Sequence, residues 1–278
     1  MKSMLPFHWH LIELTVIVAA GFAHRVLDTT KRQKQHAMLG LIALAVFVVW
    51  PLGDLAASVS LTFATVQRLV IMLLVAPQLL LSIPTPVMSR LTRPAPVDFV
   101  TRKLAHPGVA IVVVTVVGTL TLASPVVDAG ATSQLAREAI LLVTLLTGIL
   151  LWIPGLGVLP GAKRLSPAGR AGFIFASALV VTSLSFVWIF STHSLYPSLH
   201  YQQQLLHVTP VFDQQFAGFV AKLGCYFPMW AVAFRIFFHA DDQGISVEET
   251  PLHWADVERQ MLRVDRQRQR ALRRHRPE

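Results

Sequence analysis

The sequence predicts an all-α membrane protein, a bundle of seven transmembrane helices. Three observations carry that prediction. Apolar types make up 54% of the 278 residues and charged types only 14%, against about 25% charged in an average soluble domain. The apolar residues gather into runs near the ~20 residues that cross a bilayer. Lys and Arg cluster in alternate connections between those runs, the pattern of cytoplasmic loops. The same composition excludes a disordered chain, and the single cysteine, Cys225, excludes a disulfide scaffold within the chain. The net charge of +9 would raise nucleic acid as a partner in a soluble protein. Here the cations lie between apolar runs and in the tail, so no nucleic-acid partner is expected.

The runs fall at residues 6–23, 37–53, 60–83, 107–127, 136–158, 169–192 and 214–238. The first is the shortest and carries Glu13. Its basic cluster follows the apolar run, the reverse of a cleavable signal, so it reads as a retained helix. The second ends at Trp50-Pro51. The third contains Arg68 and Pro77 and stops near Pro84 and Pro86. The fourth is the cleanest, free of charge from Gly108 to Val127. The fifth contains Glu138 and Pro154. The seventh contains Lys222, Pro228 and Arg235, and spans by context more than by hydropathy. Each internal proline removes a backbone donor and favours a kink or a stop.

The connections set the expected orientation. The first carries Arg25, Lys31, Arg32 and Lys34, the third Arg90, Arg93, Arg102 and Lys103, and the fifth Lys163, Arg164 and Arg170. The second carries only Asp54, the fourth Asp128 with Arg137 at the start of the next helix, and the sixth has no Lys or Arg. The alternation places the N-terminus outside and the C-terminus in the cytoplasm. Residues 1–240 then form the transmembrane domain and 241–278 a cytoplasmic tail. In that tail Thr250 caps a helix begun by Pro251. Trp254, Val257, Met261 and Val264 recur at helical spacing against eight arginines from Arg259 to Arg276. This reads as an amphipathic helix that docks on anionic lipids of the cytoplasmic leaflet.

Charges within spans are the first functional pointers. Glu13, Arg68, Glu138 and Lys222 all fall on the outer halves of their helices. Arg68 lies roughly 12 Å below the outer end of its span, and Lys222 roughly 13 Å below Asp213, at 1.5 Å rise per residue. Opposite charges at one depth are expected to pair as a buried cluster, since an isolated one costs at least ~3 kcal/mol. The bland reading is separate snorkelling to the interface. The second pointer is histidine. His193, His200 and His207 lie in the sixth, outer connection, and neutral imidazole suits copper. They are the candidate metal ligands. No nucleophile elbow, Walker loop, dinucleotide fingerprint or zinc-protease helix is present, so no catalytic residues are assigned.

Two segments, Asp213-Gln214-Gln215-Phe216-Ala217-Gly218 and the stretch from Trp50-Pro51-Leu52-Gly53-Asp54 to Ala76-Pro77-Gln78, resemble the CtaG-type cytochrome c oxidase assembly factor family. Gly148-Ile149-Leu150-Leu151-Trp152-Ile153-Pro154 is a third, weaker match. The resemblance implies a bacterial plasma-membrane protein that serves haem-copper oxidase maturation without being an enzyme. Its partners would be oxidase subunits and its cargo copper. The motif residues it singles out are Asp54, Pro77, Asp213, Gln214, Gln215 and Gly218, with Asp54 expected opposite Asp213. The family usually carries a His-Met-x-Gln-His run ahead of Ala-Pro, where this chain has Thr65-Val66-Gln67-Arg68-Leu69. Arg68 and Lys222 stand where a metal cation would sit, which points to a divergent branch. Two alternatives stay open: an ion or proton transporter or channel, and a metal-free scaffold.

Overall fold

The computed structural model describes residues 11–49, 51–159, 165–197, 199 and 206–239. His200 and the basic tail from 241 lie outside them. The chain divides into two units, Met1–Phe237 and Phe238–Glu278, and the helical bundle belongs to the first. Among the described residues the regular elements are all helical, with no strand.

The helices are α1 (Leu11–Val26), α2 (Lys31–Val48), α3 (Leu52–Val59), α4 (Leu61–Ser82), α5 (Thr85–Leu91), α6 (Ala95–Leu104), α7 (Pro107–Leu120), α8 (Ser124–Thr132), α9 (Gln134–Leu156), α10 (Pro167–Phe190) and α11 (Pro210–Phe238). Four of them, α4, α9, α10 and α11, are long and apolar enough to cross a membrane. Two bent pairs raise that to as many as six: α2 with α3, at 61°, and α6 with α7, at 86°. The chain is a multi-pass membrane protein.

The observed helices follow local sequence signals. Thr30 opens α2 with a capping box: its hydroxyl accepts from Gln33 N–H, and the Gln33 side chain accepts from Thr30 N–H. Such reciprocal bonds satisfy two backbone donors at once. Ser60, Ser133 and Ser166 cap α4, α9 and α10 in the simpler way. Gly157, at φ 63°, ends α9 in the left-handed conformation that glycine tolerates without strain.

One charge-free run does not form one helix. The stretch from Gly108 to Val127 breaks after Leu120, turns over residues 121–123, and restarts at Ser124. Pro125 explains the restart, since proline fits the first turn of a helix and not its interior. The second span breaks likewise at Pro51, which precedes α3.

The core is built on α4, α9, α10 and α11. Met72, Leu151, Trp152, Ile174 and Met229 are buried together. Gly148 lets α9 approach α4, for an added Cβ would stand 2.8 Å from the Met72 Cα. Outward faces carry Val112, Val116, Leu142, Leu146, Phe219, Phe227 and Phe234, all exposed. An apolar belt of this extent belongs against lipid rather than water.

Pro77 sits inside α4 without ending it. The preceding residues, Ile71–Val75, form a π-helical turn. There the N–H of Ala76 reaches back to the carbonyl of Ile71. The next bond in that register would join residue 77 to Met72, but proline has no N–H. The Trp152 indole of α9 fills the place, donating to the Met72 carbonyl at 2.9 Å. The weakly matching Trp-Ile-Pro segment thus completes the backbone of α4.

Candidate functional site: the acidic end of the bundle

Asp54, Asp213 and Arg137 lie at the starts of α3, α11 and α9, at the end of the bundle that also carries the segment from Ser191 to Pro197. These side chains are polar and buried, so each needs a partner.

Asp213 finds its partners at the start of α4. Its carboxylate accepts from the Ser60 hydroxyl at 2.7 Å, from Leu61 N–H at 2.7 Å and from Thr62 N–H at 3.3 Å. The Thr62 hydroxyl donates to the Asp213 carbonyl at 3.1 Å. The first N–H groups of a helix have no internal acceptor and carry partial positive charge. Asp213 is a cap for α4 supplied by α11, through charge-assisted bonds.

The two glutamines secure the segment before α11. Gln214 accepts from Leu195 N–H at 2.8 Å and donates to the His193 carbonyl at 3.3 Å. Gln215 donates to the Ser191 carbonyl at 3.1 Å. Below them Trp188 donates to the Tyr196 hydroxyl at 3.0 Å, and that hydroxyl donates to the Leu122 carbonyl at 2.8 Å. Burial pushes the Tyr196 phenol up to about 12, against the opposing pull of the Trp188 bond and of Arg68. Gly218 is required where α11 meets α10: a Cβ there would lie 2.9 Å from the Ser185 carbonyl oxygen and 2.7 Å from Ile189.

Asp54 does not face Asp213. It forms a buried ion pair with Arg137 at 3.3 Å. Two carboxylates side by side would repel, whereas an arginine and an aspartate sealed from solvent stabilise each other's charge. Arg137 is not expected from the sequence as a partner, because there it reads only as a charge at the entry to the fifth span. A signal existed: Asp54 is the sole charge of its connection and Arg137 the sole basic residue of the next connection on that side.

The four intramembrane charges do not form one cluster. Arg68 donates to the Thr121 hydroxyl at 2.8 Å and to the Gly118 carbonyl at 3.0 Å. It caps the carbonyl end of α7, where a cation is favoured. Lys222 lies 3.7 Å from the Phe186 ring centre and 4.9 Å from that of Tyr226, so aromatic faces stabilise its charge. Glu138 accepts from the Gln134 amide at 3.0 Å. Glu13 and Glu138 line one apolar cavity of about 400 Å³ beside α1, α2 and α9, and neither Arg68 nor Lys222 reaches its wall. That these charges lie on helices is legible in the sequence, and their partners are not.

Of the three candidate metal ligands, His200 lies outside the described residues. His193 and His207 are exposed, and His193 is held through its carbonyl. Among the described residues no three of His, Cys, Asp and Glu converge as ligands. In the core the Cys225 thiol donates to Met229 Sδ at 3.4 Å.

Residues 16–241 match the family described as cytochrome c oxidase caa3 assembly factor. No curated protein and no solved structure matches the chain.

Proposed function

The chain belongs to the cytochrome c oxidase caa3 assembly factor family, and from that premise we propose that it is a non-catalytic scaffold for maturing oxidase subunits in the bacterial plasma membrane. The seven-span reading, N-terminus outside and C-terminus inside, completes the proposal. It adds α1 to the six candidate crossings and puts the acidic end on the outer face. The basic connections and the Arg-rich tail then meet the anionic cytoplasmic leaflet.

The supporting observation is the use made of the family motif. Asp213, Gln214 and Gln215 hold the start of α4 and the segment from Ser191 to Leu195 in one arrangement. A surface fixed in this way is organised to meet a partner subunit before binding begins. The scaffold reading is preferred to an ion or proton transporter because Arg68 and Lys222 are held by a helix end and by aromatic rings.

Copper delivery is the second reading. It draws on His193 and His207, both exposed on the same side of the chain's motif, with His193 fixed by Gln214. His200 would complete the set, with copper as cargo.

The test is oxidase activity and subunit content in membranes of cells that lack the chain and carry a variant. Gln214→Ala is expected to insert normally and to lower assembled oxidase several-fold. Wild-type oxidase levels with that variant would sink the scaffold reading. Copper content after loading, compared between wild type and His200→Ala/His207→Ala, decides the second reading: equal copper in both removes it.

A further inference from the structure

A second cavity, of about 90 Å³, lies between α3, α4, α9 and the turn joining α7 to α8. Arg68 and Arg137 both line it, and among the described residues no acidic side chain does. The rest of the wall is mostly apolar, with Leu61, Ala64, Ile71 and Ile140 prominent.

A guanidinium carries five N–H donors, so the two arginines bring ten. Arg68 uses its bonds to Thr121 and Gly118. Arg137 uses one to the Gly130 carbonyl at 3.4 Å and one to Asp54 at 3.3 Å. More than half of the donors therefore lack an acceptor among the described residues. Charge is unbalanced as well. Asp54 answers Arg137, but Arg68 meets only the carbonyl end of α7, worth about half a charge. Asp128 accepts from the Ser124 hydroxyl at 3.3 Å through one carboxylate oxygen, its other oxygen is buried without a hydrogen-bond partner among the described residues, and it lies outside the cavity wall. Water would satisfy the donors and leave the charge. An anion satisfies both, and in a low-dielectric chamber the charge is the larger cost.

We propose that this cavity is a binding site for one small monovalent anion, a halide or a small carboxylate, held by Arg68 beside the Arg137–Asp54 pair. The volume is several times the ~10–15 Å³ that one water needs, room for a halide with water or for a formate-sized carboxylate. A divalent oxyanion would leave an excess of negative charge.

The experiment is thermal unfolding of the full chain in detergent, in sodium chloride, bromide, formate or gluconate. Equal ionic strength keeps screening constant. Gluconate, a six-carbon carboxylate, is the bulky reference anion. The wild type is expected to melt a few degrees higher in the halides or in formate than in gluconate, since a ligand that binds only the folded state raises Tm. The halide and formate arms identify which source binds better. Arg68→Gln is expected to abolish the difference and Arg68→Lys to retain part of it, while Arg102→Gln, at an exposed pair, leaves it intact. Equal melting of the wild type in all four salts overturns the proposal, and so does a difference undiminished in Arg68→Gln. Anomalous density from bromide beside Arg68 in crystals is the expected location; a peak elsewhere only would overturn the assignment equally.

Discussion

The two ends of the bundle carry the same ionic chemistry and use it differently. At the acidic end Asp54 and Arg137 are sealed from solvent at 3.3 Å, and Asp213 is committed to the first N–H groups of α4. At the basic end Arg102 and Asp98 approach more closely, at 2.8 Å, but stand one turn apart on α6 with both side chains open to solvent. Distance alone would rank the second pair as stronger. Burial reverses the order, because water screens the exposed pair and cannot rescue the buried one when it is broken. Charges that hold helices in place are those whose partners come from distant sequence: Asp54 pairs across 83 residues and Asp213 across 152 to Leu61.

The largest expected effect breaks this contrast at its buried side. Asp54→Asn or Arg137→Gln alone is expected to destabilise the chain by about 3–5 kcal/mol, as stranding one partner of a buried pair does. The double variant should recover part of that loss. A double-mutant cycle in detergent checks it, and additive losses would show that the pair is not coupled. Asp213→Ala comes next, at about 2–4 kcal/mol, because it leaves the Ser60 hydroxyl and two N–H groups without their acceptor. Asp213→Asn should fall between it and wild type. Gly218→Ala is expected to cost about 1–3 kcal/mol through the Cβ clash with α10, read as a lower melting temperature. Trp152→Phe preserves most of the packing and strands the Met72 carbonyl, for about 1–2 kcal/mol. Arg102→Gln marks the small end, with a change within about 0.5 kcal/mol. A loss there as large as at Arg137 would erase the comparison.

Hydropathy locates the long helices because spanning length and apolar content are local properties. Runs read at 60–83, 136–158, 169–192 and 214–238 correspond to Leu61–Ser82, Gln134–Leu156, Pro167–Phe190 and Pro210–Phe238. The break after Leu120 is hidden because hydropathy is blind to backbone geometry, and only Pro125 announces it. Asp213 can be picked out by its motif and its place on a helix. Its partners cannot, since contacts with Ser60, Leu61 and Thr62 depend on how α11 sits against α4. Arg68 shows the same gap. Its place on the third run is readable, yet its partner is the carbonyl end of α7, and that end exists only because α7 stops early.

The π turn at Ile71–Val75 makes α4 two half-helices out of phase. It takes in one residue more than an α-turn, and each residue of a helix advances about 100° around its axis. A helical wheel drawn straight through the span would therefore misassign every residue beyond the turn. Loss of any single residue between 71 and 75 would let the helix run true and rotate Pro77, Gln78 and Leu80 away from their present neighbours. The span would keep nearly the same length, composition and hydropathy, and would present a different face to the bundle.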